Sequence, residues 1–190
     1  MIDIQAAIQA GKGPRYEHWA KLFNLKEAAR TLVYLQEAGL TDYKSLEIKT
    51  TDAVKRFNEL TEQNKTLESQ IAEKSSLRKH IANYIKTNPV YKEYRKSGYS
   101  RKYRSEHEGD IIIHQTAKKA FDELGIGKLP SVASLNEETA QLSREKKIAY
   151  HEYVKARADM KSLLTAKANI DKLINNPAQN RDTQHNDLEV

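Results

Sequence analysis

The sequence predicts an all-α protein in which two long helices pair as an antiparallel coiled-coil hairpin. Glycine and proline are scarce, with 7 and 4 among 190 residues, and their positions mark the boundaries between the predicted segments. Apolar side chains recur on three- and four-residue steps along two long stretches, which is the pattern of a helical seam. The apolar share is 38% and the charged share 31%, a balance typical of long helices that bury a narrow stripe.

Residues 1–50 are predicted to form short N-terminal helices. A run containing glycine and proline at 11–14 separates a starting segment from a helix over residues 15–23. Trp19 lies on that helix, and we expect its ring to pack in the core rather than to bind a ligand.

A second N-terminal helix is predicted to begin at Asn24. This side chain suits a helix N-cap, and Glu27 stands three residues later as a capping-box partner. Gly39 is placed to end the helix, and a short helical turn follows over residues 42–47. The apolar face is predicted to comprise Leu25, Ala28, Ala29, Leu32, Val33 and Leu35.

The first long helix is predicted over residues 51–87. Its heptad seam consists of Phe57, Leu60, Leu67 and Ile71, and continues after a phase slip with Leu77, Ile81, Tyr84 and Ile85. Asn64 stands in register within the seam, where an asparagine often fixes register at some cost in stability. The helix is expected to end at Asn88-Pro89, because the residue before a proline disfavours the helical conformation.

Residues 88–134 are predicted to form a basic helical insert at the tip of the hairpin. Two or three short helices are expected, near residues 89–97, 101–107 and 109–124, before the glycines at 125 and 127 close the segment. The last of these helices should bury one face, formed by Ile113, Ala117, Ala120, Phe121 and Leu124.

The second long helix is predicted over residues 135–175, opened by a capping box at Ser134 and Glu137. Its seam consists of Leu135, Leu142, Ala149, Tyr153, Ala156, Met160, Leu163, Ile170 and Ile174. Residues 176–190 are polar and aperiodic, so a disordered tail is expected. The same seams could close a monomeric hairpin or join a homodimer, and the sequence leaves both open.

Positive charge is concentrated between the two long helices. The formal net charge is +6, yet residues 86–104 hold seven basic residues against the single acid Glu93, with four tyrosines interleaved. Lysine and arginine bind phosphates and tyrosine stacks on bases, so this segment is predicted to contact DNA. The predicted DNA-binding residues are Lys86, Lys92, Arg95, Lys96, Tyr99, Arg101, Lys102, Tyr103 and Arg104. The alternative is a solvated basic surface whose tyrosines pack inward, as Tyr91 and Tyr94 are expected to do.

No catalytic residue, metal ligand or cofactor is predicted. The chain lacks cysteine, and the histidines lack metal-binding spacing, including the His107 and His114 pair with Glu108 and Asp110 nearby. No apolar run approaches the length of a membrane span, so we expect a cytoplasmic protein without a membrane partner.

Three separated stretches carry a resemblance to a known family: EHWAKLFNLKEAARTLVYLQEAGL, YKEYRKSGYSRKYRSEHEGDIIIHQTAKKAFDELGIGKLPSV and KKIAYHEYVKARADMKSLLTAKANIDKLI. Together they resemble the C-terminal region of relaxase/mobilisation nucleases of Gram-positive integrative and conjugative elements. Relaxases nick one DNA strand at a transfer origin through an N-terminal domain with a His-hydrophobe-His metal motif. This sequence lacks that motif, so no catalytic role is carried over.

The resemblance implies a place in conjugative DNA mobilisation, either binding DNA near a transfer origin or contacting relaxosome or coupling proteins. Three hypotheses follow: a DNA-binding module of a relaxase, a dimerisation or protein-interaction module without DNA binding, and an isolated nuclease using a tyrosine and a metal. The sequence favours the first and supplies no metal ligands for the third.

Overall fold

The computed structural model describes residues 1–175, which form six α-helices and no β-strand. The helices are α1 (Ile4–Gln9), α2 (Pro14–Glu37), α3 (Tyr43–Lys96), α4 (Arg101–Glu106), α5 (Glu108–Glu123) and α6 (Val132–Ile174). The all-α prediction is confirmed. The predicted disordered tail at 176–190 lies outside the described residues. None of the described helices combines the length and apolar content that a membrane span requires.

The chain divides into two compact units. Among the described residues, the first unit contains 1–59 and 153–175, and the second contains 60–152. Helices α3 and α6 contribute to both units, so each unit is described separately below.

The predicted pair of N-terminal helices is a single helix, α2, and the expected cap at Asn24 is wrong. Asn24 lies inside the helix, and its amide side chain bonds the backbone of Ile2, accepting from its N–H at 2.7 Å and donating to its carbonyl at 2.8 Å. A side chain used in this way cannot cap a helix. Gly39 does end α2 as predicted, with the left-handed φ of +67° that glycine adopts readily.

The predicted apolar face of α2 is also mostly wrong. Leu25, Leu32 and Val33 are 68%, 58% and 54% exposed, and Trp19, expected in the core, is 51% exposed. The buried side chains of α2 are Ala20, Thr31 and Leu35, so the prediction is right for Leu35. Leu25, Leu32 and Val33 lie on a face that points away from the core.

The predicted break at Asn88-Pro89 is wrong: α3 continues through Pro89 to Lys96. A proline inside a helix removes one hydrogen bond and costs about 3 kcal/mol. The carbonyl left without a partner belongs to Ile85, whose side chain is 60% exposed, so this side of the helix faces water. Buried side chains on the opposite side, Thr87 and Tyr94, flank the proline and hold the helix together.

The first unit has a core of Leu35, Leu46, Leu163 and Ala166. Its polar interior is hydrogen-bonded: buried Asn169 donates to the Thr31 hydroxyl at 2.9 Å and accepts from the Met1 amino group at 2.9 Å. Within this unit α3 and α6 run antiparallel, since the Tyr43 hydroxyl bonds Asp171 while the ring of Phe57 contacts that of Tyr153.

The second unit has a core of Ile81, Ala117, Phe121 and Leu135, contributed by α3, α5 and α6. Here too α3 and α6 are antiparallel, as shown by ion pairs from Glu68 to Lys146 and from Lys74 to Glu138. Buried seam positions in the described chain include Leu60, Leu67, Leu135, Ala149 and Leu163. The coiled-coil packing of the hairpin stays a prediction.

Two local predictions in the second unit need correction. Ser131 rather than Ser134 caps α6, since its hydroxyl accepts from the Ser134 N–H at 3.0 Å. The predicted face of α5 is right for Ala117 and Phe121, but Ile113 and Leu124 are 41% and 61% exposed. The other buried side chains of α5 are Ile111 and His114, which the sequence did not predict. Helices at 101–107 and 109–124 are confirmed to within a residue or so, as α4 and α5.

Candidate nucleic-acid interface

The last turn of α3 and helix α4 are joined by a cluster of tyrosines. Tyr94 is only 6% exposed and forms the centre of this cluster. The ring of Tyr99 meets it edge-on, with centroids 5.2 Å apart, and the ring of Tyr103 lies 6.5 Å away and nearly parallel. His107 packs on the other end of Tyr103 at 4.4 Å. Aromatic packing therefore fixes α4 against the end of α3.

A tight reversal between residues 97 and 100 brings α4 back onto α3. The Tyr99 N–H donates to the Tyr94 carbonyl at 3.1 Å, the bond of a helix C-terminal Schellman motif. Gly98 and Tyr99 both have left-handed φ angles, of 65° and 62°. The Ser97 hydroxyl donates to the Tyr94 carbonyl at 2.8 Å, which further satisfies the helix end.

A second aromatic layer lies beside Tyr94 and contains a buried histidine. His114 is 2% exposed and stacks between Tyr84 and Tyr91, with centroid distances of 4.3 and 4.2 Å. Its Nδ1 lies 3.2 Å from the Thr87 hydroxyl, which itself donates to the Asn83 carbonyl. Burial lowers the pKa of His114, which favours its neutral form.

The predicted inward packing of Tyr91 and Tyr94 is confirmed by this arrangement. Of the nine predicted DNA-binding residues, eight are exposed and Tyr103 is half-buried. We call these nine residues, at 86–104, the basic patch. Four of them lie on α3, Tyr99 lies in the reversal, and Arg101, Lys102, Tyr103 and Arg104 lie on α4.

Acidic side chains neutralise little of the basic patch. Lys96 pairs with Glu93 at 2.7 Å, and this bond raises the pKa of Lys96. Within residues 1–175, the cations of the patch that form no ion pair are Lys86, Lys92, Arg95, Arg101, Lys102 and Arg104. Most of the positive charge in the patch is therefore available to a polyanion.

The structure groups most of the patch but not all of it. Lys92, Arg95 and Lys96 project from α3 within about 100° of one another, as helical geometry requires of their spacing. Lys86 precedes Arg95 by nine residues, which places it about 180° around the helix. Lys86 therefore faces away from Arg95, whereas Lys92, Arg95 and Lys96 share one side of α3. The residues from 99 to 104 lie in the reversal and on α4, which the tyrosine cluster holds against the end of α3.

Sequence reasoning missed a second exposed aromatic group, in the first unit. Trp19 stacks on Phe23 at 5.5 Å and contacts Tyr16 at 5.4 Å, and Leu22 beside them is 47% exposed. The spacing of three and four residues between these rings is the signal that one helix face carries them. We call Tyr16, Trp19, Leu22 and Phe23 the aromatic ridge.

In the described part of the chain, no group of three or more histidine, cysteine, aspartate or glutamate side chains is arranged to hold a metal ion. His107 packs on Tyr103, and His114 lies in the aromatic layer. No protein-family model matches this chain, and no curated protein or solved structure matches it either.

Proposed function

We propose that the protein is a non-catalytic module that binds DNA through its basic patch. The observation that carries this proposal is a set of exposed cations, mainly Arg95, Arg101, Lys102 and Arg104, that lack acidic partners in the described chain. They lie on the helix end, α4 and the reversal that the tyrosine cluster joins. A rigid, unneutralised cationic surface is what a phosphate backbone requires.

The binding energy is expected to come mainly from counterion release. Contact with five to seven phosphates, on the order of the number of free cations, gives a log–log salt slope of roughly −3.5 to −6. The tyrosine cluster adds rigidity, since α4 is held in place before the ligand arrives and less ordering is needed on binding.

The resemblance to relaxase C-terminal regions suggests where such a module acts. We propose that it assists conjugative DNA mobilisation near a transfer origin, alongside relaxosome or coupling proteins. The nicking chemistry would belong to a separate catalytic domain.

Charge reversal at four patch positions tests the proposal. Fluorescence anisotropy with labelled single-stranded and duplex DNA, between about 50 and 200 mM salt, should show steep salt dependence for the parent chain. Binding should be largely lost when glutamate replaces Arg95, Lys96, Arg101 and Lys102.

A matched control reverses four exposed cations of the first unit: Lys49, Lys55, Arg157 and Lys161. Each quadruple variant takes the formal net charge from +6 to −2, since four reversals remove eight charges. If the control loses as much affinity as the patch variant, net charge alone drives binding and the patch is not a site. Parent-like binding by the patch variant would also reject it.

A second function, a protein-interaction module without DNA binding, is favoured by the aromatic ridge. Exposed tryptophan and phenylalanine side chains are common at protein interfaces. The seam leucines are less suited to dimerisation, because Leu60, Leu135 and Leu163 are already buried within one chain. Light scattering over a concentration series measures the mass of the parent and of the Trp19→Glu and Phe23→Glu variants, and so tests whether the ridge mediates self-association. Self-association that the variants abolish, with no DNA binding at low salt, would favour this function.

A further inference from the structure

Tyr99 occupies a backbone conformation that its side chain does not favour. Its φ of 62° makes it the one non-glycine residue with positive φ in residues 1–175. A residue with a Cβ is disfavoured in this left-handed region, whereas glycine enters it freely. Gly98 before it already supplies the usual glycine at the helix end. The reversal therefore places a large aromatic residue where a second glycine would be easier to accommodate.

Packing gives only a partial account of this side chain. Tyr99 is 57% exposed, and the contact of its ring with Tyr94 is near-perpendicular, at 85°. Such a contact orients the ring without covering both of its faces. Tyr94 is buried and Tyr103 is half-buried in contact with His107, so Tyr99 is the most exposed tyrosine of the cluster.

The surroundings of Tyr99 suit a nucleotide. Arg101 and Lys102 follow it within one turn of chain, and Arg95 lies one turn before it on α3; all three are exposed and unpaired in the described residues. An aromatic face flanked by cations can stack on a base while the cations hold the adjoining phosphates. Base faces are open in single strands and covered by neighbouring bases in a duplex.

We propose that Tyr99 is a base-stacking platform, and that the basic patch consequently prefers single-stranded to duplex nucleic acid. This inference rests on the proposed DNA-binding function and names its ligand class. The fixed left-handed turn holds the ring outward before binding, so that stacking needs no rearrangement of the chain.

Two substitutions at Tyr99 separate stacking from folding. Tyr99→Gly suits the backbone and removes the ring, so its melting temperature by circular dichroism should match or exceed that of the parent. Tyr99→Phe keeps a stacking face. In anisotropy titrations of the full chain, Tyr99→Gly should weaken binding to a short oligothymidylate by about 5- to 150-fold. Duplex affinity should stay unchanged, and Tyr99→Phe should bind like the parent.

A photochemical experiment on the parent protein gives a measurement that does not depend on the variants. Oligothymidylate carrying 5-iodouracil should crosslink on irradiation, and mass spectrometry should locate the adduct at Tyr99.

The outcomes distinguish this inference from the proposed function. Three results would overturn the stacking role and leave DNA binding intact. The parent could bind single strands and duplex with equal affinity, or Tyr99→Gly could leave both affinities unchanged or lower both equally. The third such result is a crosslinked adduct at a residue other than Tyr99. Absence of binding to either ligand at low salt would reject both.

Discussion

The two units of the protein place their aromatic side chains in opposite ways. In the first unit the aromatic ridge stacks on the surface, with Trp19 half-exposed, and the interior is completed by a hydrogen-bonded polar group around Asn169. In the second unit Tyr94 and His114 lie inside as the centres of two aromatic groups, and Tyr99 and the cations lie outside. Aromatic residues near basic ones thus have two distinct roles here, as exposed surface and as internal support.

This difference affects how each region can bind. The ridge offers apolar area, which favours a protein surface. The basic patch offers charge on a rigid support, which favours a polyanion. Composition alone does not separate the two, since both stretches mix tyrosine or tryptophan with lysine and arginine.

The largest expected effect comes from removing the internal support. Tyr94→Ala should lower the free energy of unfolding by about 3 to 5 kcal/mol, because it leaves a cavity beneath α4 and the reversal. Trp19→Ala in the exposed ridge should cost about 1 kcal/mol or less. Urea unfolding followed by circular dichroism measures both. Similar losses for the two variants would show that the ridge is as structural as the tyrosine cluster.

A smaller effect, specific to the second unit, is expected from pH. Burial lowers the folded-state pKa of His114, with the positive charge of Lys118 acting in the same direction. The unfolded chain then binds the proton more readily, so acid favours unfolding. The contribution of neutral His114 to the free energy of unfolding should be fully present above pH 6.5, the ordinary histidine pKa. It should be lost as the pH drops toward the lower folded-state pKa. The slope from this one group is at most about 1.4 kcal/mol per pH unit.

His114→Phe provides the comparison for this pH effect. Phenylalanine keeps a flat ring between Tyr84 and Tyr91 but cannot be protonated. Urea unfolding of parent and variant between pH 5 and 8, a range of about three units around the histidine pKa, should show a shallower slope for the variant. Identical slopes would assign the acid sensitivity to other groups. His18 of the first unit and His151 of the second are exposed.

The parts of the fold that follow from the sequence are those set by local pattern. The all-α class, the end of α2 at Gly39 and the burial of Leu60, Leu67 and Leu135 all rest on periodicity or on glycine conformation. These signals act over a few neighbouring residues, so they can be interpreted from the sequence without knowledge of tertiary contacts.

The parts that sequence reasoning missed depend on partners distant in the chain. Asn24 resembles a cap, but its partner Ile2 lies 22 residues away. Pro89 resembles a break, but side chains packed on both sides of it keep α3 continuous. In both cases a tertiary contact overrides a local preference.

The candidate site shows the same limit. Exposure of the cations was predictable, because charged side chains avoid burial. The position of Lys86 around α3 was not, since the expected break at Pro89 hid the continuous helix that determines it. The positive φ of Tyr99 also has no sequence signal, as the glycine beside it would have been the expected residue.

The smallest expected effect concerns the asparagines that the two units hold at partly or fully buried positions. In the second unit Asn64 donates to the Leu60 carbonyl, but its Oδ1 is buried without a partner in the described structure. In the first unit Asn169 uses both of its side-chain polar atoms. Asn64→Leu should therefore raise the free energy of unfolding by about 1 kcal/mol, the gain from removing an unsatisfied acceptor. Asn169→Leu should lower it by a similar or larger amount.

Urea unfolding compares these two variants, and light scattering adds a second measurement. An asparagine within a seam can select one pairing of helices over another, so Asn64→Leu could gain stability and lose a unique state of assembly. A more stable variant whose mass matches the parent at every concentration would mean that the seam is specified by its apolar contacts alone. A less stable variant would mean that the Oδ1 atom does find a partner in solution, and the contrast between the two interiors would then disappear.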